Sequence, residues 1–133
     1  MKTVFTNGRI ILTDRILDGY SVIVEDGVIS DVTKSTAAAD KVVDLKGCYL
    51  APGFIDMHTH GAGGHDFMDG TEEAVKGACM THLSHGTTSI VPTTLTCLNG
   101  ELFNFFEVYR KVKADWHEGP NLLGIHLEGP FFN

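Results

Sequence analysis

The chain changes its hydrophobic grammar near residue 50. The run TVFTNGRIIL places two short β-rich stretches around Asn7-Gly8. An Asn-Gly pair in that setting predicts a two-residue hairpin turn. SVIVEDGVISDVT repeats the device at Asp26-Gly27, followed by alternating Val28, Ser30 and Val32. KVVDLKGCYL adds a third short run that turns at Gly47, and Lys34 to Asp40, small and polar, reads as a loop. Residues 1–51 are therefore expected to form a small antiparallel β module.

From Pro52 onward strands and helices alternate. Phe54 to His58 follows a Pro-Gly punctuation and reads as a short buried strand. Thr71 is placed to cap a helix, with Glu72 and Glu73 favourable near its positive end. Val75, Ala78, Cys79, His82 and Leu83 keep helical spacing up to Gly86. TTSIVPTTLT predicts a second strand, and Pro92 marks its end. Asn99 is expected to cap a second helix, in which Leu102, Phe105, Phe106 and Tyr109 form one apolar face for packing against a sheet. Asn121 to Leu127 reads as a third strand. This βαβαβ order predicts an α/β fold, a parallel sheet with helices outside it.

Composition narrows the classes. The 133 residues are 43% hydrophobic and 20% charged, ordinary globular values, with a formal charge of −7. An acidic chain lacks the basic footprint of a nucleic-acid binder. No apolar run approaches the roughly 18 residues of a membrane span, and no signal-peptide core is visible, so the expected location is the cytoplasm. Three cysteines, Cys48, Cys79 and Cys97, leave an odd thiol under any pairing and read as reduced thiols.

The chemistry-bearing residues cluster at strand ends. His58 and His60 sit in Asp56-Met57-His58-Thr59-His60. Residues two apart on a strand share a face, so the two imidazoles can meet at one point if the strand conformation persists. Neutral imidazole is a common ligand of zinc, iron and nickel. Gly61-Ala62-Gly63-Gly64 allows either a tight loop or close backbone approach to a bound group. Glu128 closes the third strand at the equivalent level, where its carboxylate can join the imidazoles and bridge two cations; solvent exposure on a loop is the alternative. Gly129-Pro130 beside it favours a fixed turn. His126, two residues earlier, reads as a packed neighbour of the ligands. His82, His85 and His117 read as surface or structural, and His65-Asp66 is a candidate for the mouth of the site. Ser84 and Ser89 have no Ser-His-Asp context, and no G-x-G-x-x-G fingerprint follows the strand.

Three stretches carry a resemblance. PGFIDMHTHG resembles the opening barrel strand of the amidohydrolase superfamily, and HGTTSIVPTTLT with GIHLEGPFFN is similar to its N-acetylglucosamine-6-phosphate deacetylase family. The resemblance implies strands of a small β-sandwich over residues 1–51. It implies the first three βα steps of a metal-dependent (β/α)8 TIM barrel over residues 52–133. It implies metal binding by Glu128, with His58 and His60 serving a second metal position in two-metal members. One or two ions are implied, with zinc expected first and iron second. The implied substrate is a small amino-sugar phosphate, and the intact protein is implied to be a homodimer, with no nucleic-acid or membrane partner. The general-base Asp, two further metal-binding histidines and the phosphate-holding residues belong to later strands of that family. The chain is therefore expected to be an N-terminal, catalytically inactive fragment holding at most part of the metal site.

Overall fold

The computed structural model describes residues 1–35, 38–129 and 131. Two compact units divide the chain, Met1–Pro52 and Gly53–Asn133.

The first unit holds β1 (Lys2–Thr6), β2 (Arg9–Ile11), β3 (Ile16–Leu17), β4 (Ser21–Glu25), β5 (Val28–Thr33), β6 (Lys41–Asp44) and β7 (Tyr49–Leu50). They form a four-stranded sheet in the order β5-β4-β1-β6 and a three-stranded sheet in the order β3-β2-β7. The Asp26-Gly27 hairpin is present, with both residues at positive φ (49° and 83°) between antiparallel β4 and β5. The expected Asn7-Gly8 hairpin is not. Its two strands lie in different sheets, and each pairs in parallel with a distant partner, β1 with β6 and β2 with β7. The unit is therefore mixed rather than antiparallel.

The reason lies in a corner shared by two segments. Leu45 N–H donates to Thr6 O (2.9 Å), Gly47 N–H to Asn7 O (2.7 Å) and Arg9 N–H to Cys48 O (2.9 Å), so both chains cross between sheets together. Asn7 adopts φ 54° and its side-chain amide donates to Asp44 Oδ1 (2.9 Å). A side chain on Gly8 would run into Leu45. Asn-Gly supplied the positive φ and the close approach; a neighbour far along the chain decided what they were used for. Residues 36 and 37 of the expected Lys34–Asp40 loop lie outside the described residues.

The second unit holds β8 (Phe54–Thr59), a short hairpin of β9 (Gly61–Ala62) and β10 (His65–Asp66), a 3-10 turn (Phe67–Asp69), α1 (Glu72–Ser84), β11 (Thr87–Pro92), α2 (Asn99–Asp115) and β12 (Asn121–Leu122). The three-stranded sheet has the order β12-β11-β8, with β11 parallel to both neighbours. Thr71 caps α1, its hydroxyl accepting from Ala74 N–H (3.1 Å). The cap of α2 is Leu98 rather than Asn99: Glu101 carboxylate accepts from Leu98 N–H (2.9 Å), and Asn99 is already helical. The buried face of α2 is Phe105, Val108, Tyr109 and Val112, with Phe106 only partly covered. It packs with Val75, Ala78 and Cys79 of α1 and with Ile90 and Leu122 of the sheet, so both helices cover one core.

Two expectations for the sheet are corrected. Among the described residues β8 pairs with β11 alone, and Phe54, Ile55 and Met57 are more than 60% exposed rather than buried. Apolar character marked its strand nature but not its number of neighbours. The third strand is regular only over Asn121–Leu122 and rejoins β11 through an isolated bridge at His126. Pro92 has no N–H to offer the ladder there. In addition, Leu123 N–H bonds Ile90 O and His126 N–H bonds Pro92 O, which sets three steps on one chain against two on the other.

Candidate metal centre

His58, His60 and Glu128 do converge. Glu128 Oε2 stands 3.1 Å from His58 Nε2 and 3.2 Å from His60 Nε2. One nitrogen or oxygen from each of the three residues lies within 4.8 Å of the others. Ligand atoms about 2.1 Å from a common ion, at angles of about 90–110°, stand roughly 3.0–3.4 Å apart, which brackets both His–Glu separations.

Orphaned polar atoms point the same way. Among the described residues Glu128 Oε2 is buried without a hydrogen-bond partner, although two imidazole nitrogens are beside it. The nitrogens approach without aiming an N–H at the oxygen, as lone-pair donors around a shared centre would. His60 Nδ1 is also buried without a partner. A buried unpaired carboxylate oxygen is costly in an empty site. The donor set, two imidazoles and one carboxylate, suits a divalent transition ion.

His58 and His60 share a face as strand alternation expects, with Thr59 between them turned the other way toward His82, but the strand before them is irregular. Ile90 faces Asp56 and Pro92 faces Thr59 in the ladder, so β8 takes three steps where β11 takes two. This bulge lies at the His58 position. Asp56 Oδ1 accepts from His58 N–H (3.1 Å), satisfying a donor that the irregular ladder leaves free. Asp56 and Thr59 both turn toward α1, meeting His82. The bulge thereby lets Asp56 and Thr59, three residues apart, face the helix together, while His58 and His60 face Glu128. Bulges commonly re-aim side chains beside functional sites.

His82 is structural, as expected, but its task is specific. Its Nδ1 lies 3.7 Å from Asp56 Oδ2, and its Nε2 lies 3.1 Å from Thr59 Oγ1. Thr59 hydroxyl donates to Gly61 O (3.3 Å), so His82 Nε2 donates to Thr59. His126 is exposed and packs its ring against His58, with centroids 4.6 Å apart. His85 sits at the exposed C-cap of α1, and His117 is exposed.

His65 and Asp66 do not face the three ligands. Residue 77 on α1 must be glycine because its Cβ would strike the His65 ring, and Asp66 caps the 3-10 turn by accepting from Met68 N–H (2.8 Å). Gly63 and Gly64 form the β9–β10 turn at positive φ, and a Cβ on Gly63 would meet Thr81. These glycines serve the packing of a hairpin on a helix. Pro130, half of the expected Gly129-Pro130 turn, lies outside the described residues; Gly129 takes φ 84°.

Sequence reasoning passed over Thr93 and Thr94. Both are buried, at 0% and 1% exposure, directly beyond Pro92. Thr93 Oγ1 accepts from Thr59 N–H (3.0 Å), and Thr94 Oγ1 accepts from Glu128 N–H (3.0 Å). The signal was the Thr-Thr pair after a strand-ending proline, but a polar pair there is equally a loop in solvent.

Comparison with known proteins places this geometry. Residues 49–133 match the amidohydrolase family, and residues 4–50 match the NagA composite domain. The chain is 38% identical to N-acetylglucosamine-6-phosphate deacetylase of Bos taurus, over 90% of this chain and 32% of that protein. It is 37% identical to the Homo sapiens enzyme of the same name, over 97% of this chain and 33% of that protein. The crystal structure of N-acetylglucosamine-6-phosphate deacetylase from Pasteurella multocida superposes on all of this chain and 35% of its own, with TM-score 0.86 and 28% identity. The chain thus spans about a third of the length of the curated relatives it matches.

Proposed function

The chain belongs to the amidohydrolase family, and from that premise we propose that the protein carrying it hydrolyses the acetamide of N-acetylglucosamine 6-phosphate to glucosamine 6-phosphate and acetate. The observation that carries this reading is the meeting of His58, His60 and Glu128 around a buried, unpaired carboxylate oxygen. The names of the relatives supply the substrate. On this reading residues 52–133 form the first three βα steps of a (β/α)8 barrel, and residues 1–51 form the N-terminal part of a small β-sandwich. The site then lies at the C-terminal ends of barrel strands, where such enzymes place their chemistry.

His58 and His60 offer neutral imidazole nitrogens, and Glu128 offers the negative charge that draws a divalent ion; zinc fits this donor set first and iron second. A bound divalent ion supplies Lewis acidity toward an amide carbonyl and a nucleophilic water. Glu128, anchored through its main chain, holds its carboxylate within 3.2 Å of a nitrogen of each histidine. Asp56 accepts from His58 N–H, and His82 bonds Thr59 between the pair. The carboxylate that moves the proton from water to the leaving amine is assigned to chain outside these residues, as are the phosphate contacts. By themselves the 133 residues are assigned metal binding without turnover, a second reading that rests on their spanning a third of the relatives' length. The intact protein is read as a cytoplasmic homodimer; no helix among the described residues is long and apolar enough to cross a membrane.

The test is acetate release from N-acetylglucosamine 6-phosphate by the purified protein, before and after chelation and after zinc is restored. Activity that chelation removes and zinc returns supports the reading. Turnover unaffected by exhaustive chelation, with no metal found in the sample, defeats it.

A further inference from the structure

We propose that Thr93 and Thr94 are positioning residues that set the spacing of the His58–His60–Glu128 trio, each by gripping the main chain of one ligand-bearing segment. The inference rests on the metal-site reading above and extends it to residues that touch none of the three ligating atoms.

The two threonines act as a pair of clamps facing opposite ways. Thr93 N–H donates to Thr59 O (2.9 Å), while its hydroxyl accepts from Thr59 N–H (3.0 Å). Thr59 is the residue between His58 and His60, so this grip fixes the backbone from which both imidazoles spring. Thr94 N–H donates to His126 O (3.0 Å). Its hydroxyl accepts from Glu128 N–H (3.0 Å) and donates to Glu128 O (3.3 Å). One buried hydroxyl therefore satisfies both polar groups of the Glu128 main chain.

Side chains add to the backbone here because the ladder is irregular. Pro92 has no N–H, and the registers of β8 and of the Leu123–His126 segment both slip against β11 near it. Beyond that point the main chain of Thr93 and Thr94 gives one N–H bond to each ligand-bearing segment. The hydroxyls reinforce those bonds, two residues in a row, with almost no solvent access. Valine has nearly the shape of threonine but neither donates nor accepts. It would leave Glu128 N–H buried and unpaired and free Glu128 to drift from the imidazoles. Outer partners of metal ligands typically govern affinity by about 10–100-fold.

The experiment measures the zinc dissociation constant of the purified protein at its natural length, by competition with a chromophoric chelator, alongside thermal unfolding without metal. Thr94→Val should weaken zinc binding about 10–100-fold. Thr94→Ser, which keeps the hydroxyl, should restore affinity to within about threefold of the parent. Ile90→Val, on β11 just before the threonines and packed in the core under the helices, should lower the melting temperature and leave zinc affinity unchanged. If Thr94→Val cannot be isolated folded, Thr93→Val asks the same question at the histidine end, with Thr93→Ser as its rescue. Parental zinc affinity in the valine variants overturns the proposal, as does an equal loss in Ile90→Val or no rescue by serine. Glu128→Ala separates the two levels. If it binds zinc as the parent does, the metal reading falls and takes this inference with it. If it loses zinc while Thr94→Val keeps it, only the positioning role is overturned.

Discussion

The two units solve burial differently. In Gly53–Asn133, two helices close over the sheet, and Phe67, Val75, Cys79, Ile90 and Phe105 are wholly inaccessible. Among the described residues of Met1–Pro52 the buried hydrophobic side chains are Val4, Ile10, Val22 and Ile23 alone, and an apolar cleft of about 170 Å³ remains, lined by residues such as Phe5, Val24 and Leu50. Turns and a shared corner, rather than a sealed interior, hold that unit together. The difference teaches where precision can be kept. Side chains whose separations must hold to within a few tenths of an ångström are carried beside the closed core, where buried hydroxyls such as Thr93 and Thr94 have no water to bond instead.

The comparison can be broken most decisively at the site. Glu128→Ala should abolish metal-dependent activity and lower zinc affinity by at least about 100-fold, since an anionic ligand and its charge both vanish. Near-normal metal content and rate would remove Glu128 from the centre. His58→Ala should cost less if one ion suffices, and total loss would mark an obligatory pair. Next in size, Phe105→Ala should destabilise the protein by about 3–5 kcal/mol in denaturant unfolding, because its cavity opens inside a closed core. Val22→Ala, beside the open cleft, should cost about 1–2 kcal/mol; equal losses would show that the β unit is as tightly packed as its neighbour.

The cysteines sharpen the contrast further. Burial pushes the Cys79 thiol up to about 12, and burial, then Cys79 itself, raises Tyr109 to about 12. Cys48 is exposed. Alkylation at about pH 8 should label Cys48 within minutes and spare Cys79 until the protein unfolds, as peptide mapping would show. Labelling of Cys79 at a comparable rate would mean that the core opens easily.

The smallest effect belongs to the corner. The Lys46 backbone N–H and then the Asn7 amide hold the Asp44 carboxyl below its ordinary value of 3.8. A depressed folded value means that the contribution is present above the unfolded pKa and is lost as pH falls through the folded one. The melting difference between parent and Asp44→Ala should therefore be constant above about pH 5 and narrow as pH drops from about 4. A difference independent of pH would show that the charge plays no part.

Much of this was legible along the chain. The Asp26-Gly27 turn, the Thr71 cap, the helix-strand alternation and the strand end at Pro92 are local matters, fixed by backbone preferences over a few residues. The trio was legible as a candidate cluster because the His-x-His pair closes β8, and Glu128 follows the segment that returns to β11 at His126. The Asn7-Gly8 hairpin was misread because the same dihedral preference serves a corner when the pairing strand is Lys41–Asp44. The buried reading of Phe54 to His58 failed because composition does not count a strand's neighbours.

What the sequence determined on its own, then, is which residues are candidates for the chemistry and which elements carry them, since side-chain type and short-range periodicity are written residue by residue. What only the tertiary structure decided is how those residues are aimed. The bulge over Met57–His58, the hydrogen bond from His82 to Thr59, and the hydrogen bonds at Thr93 and Thr94 join positions more than twenty residues apart. Such contacts depend on register between strands, which a single residue's slip would change and which no local pattern encodes.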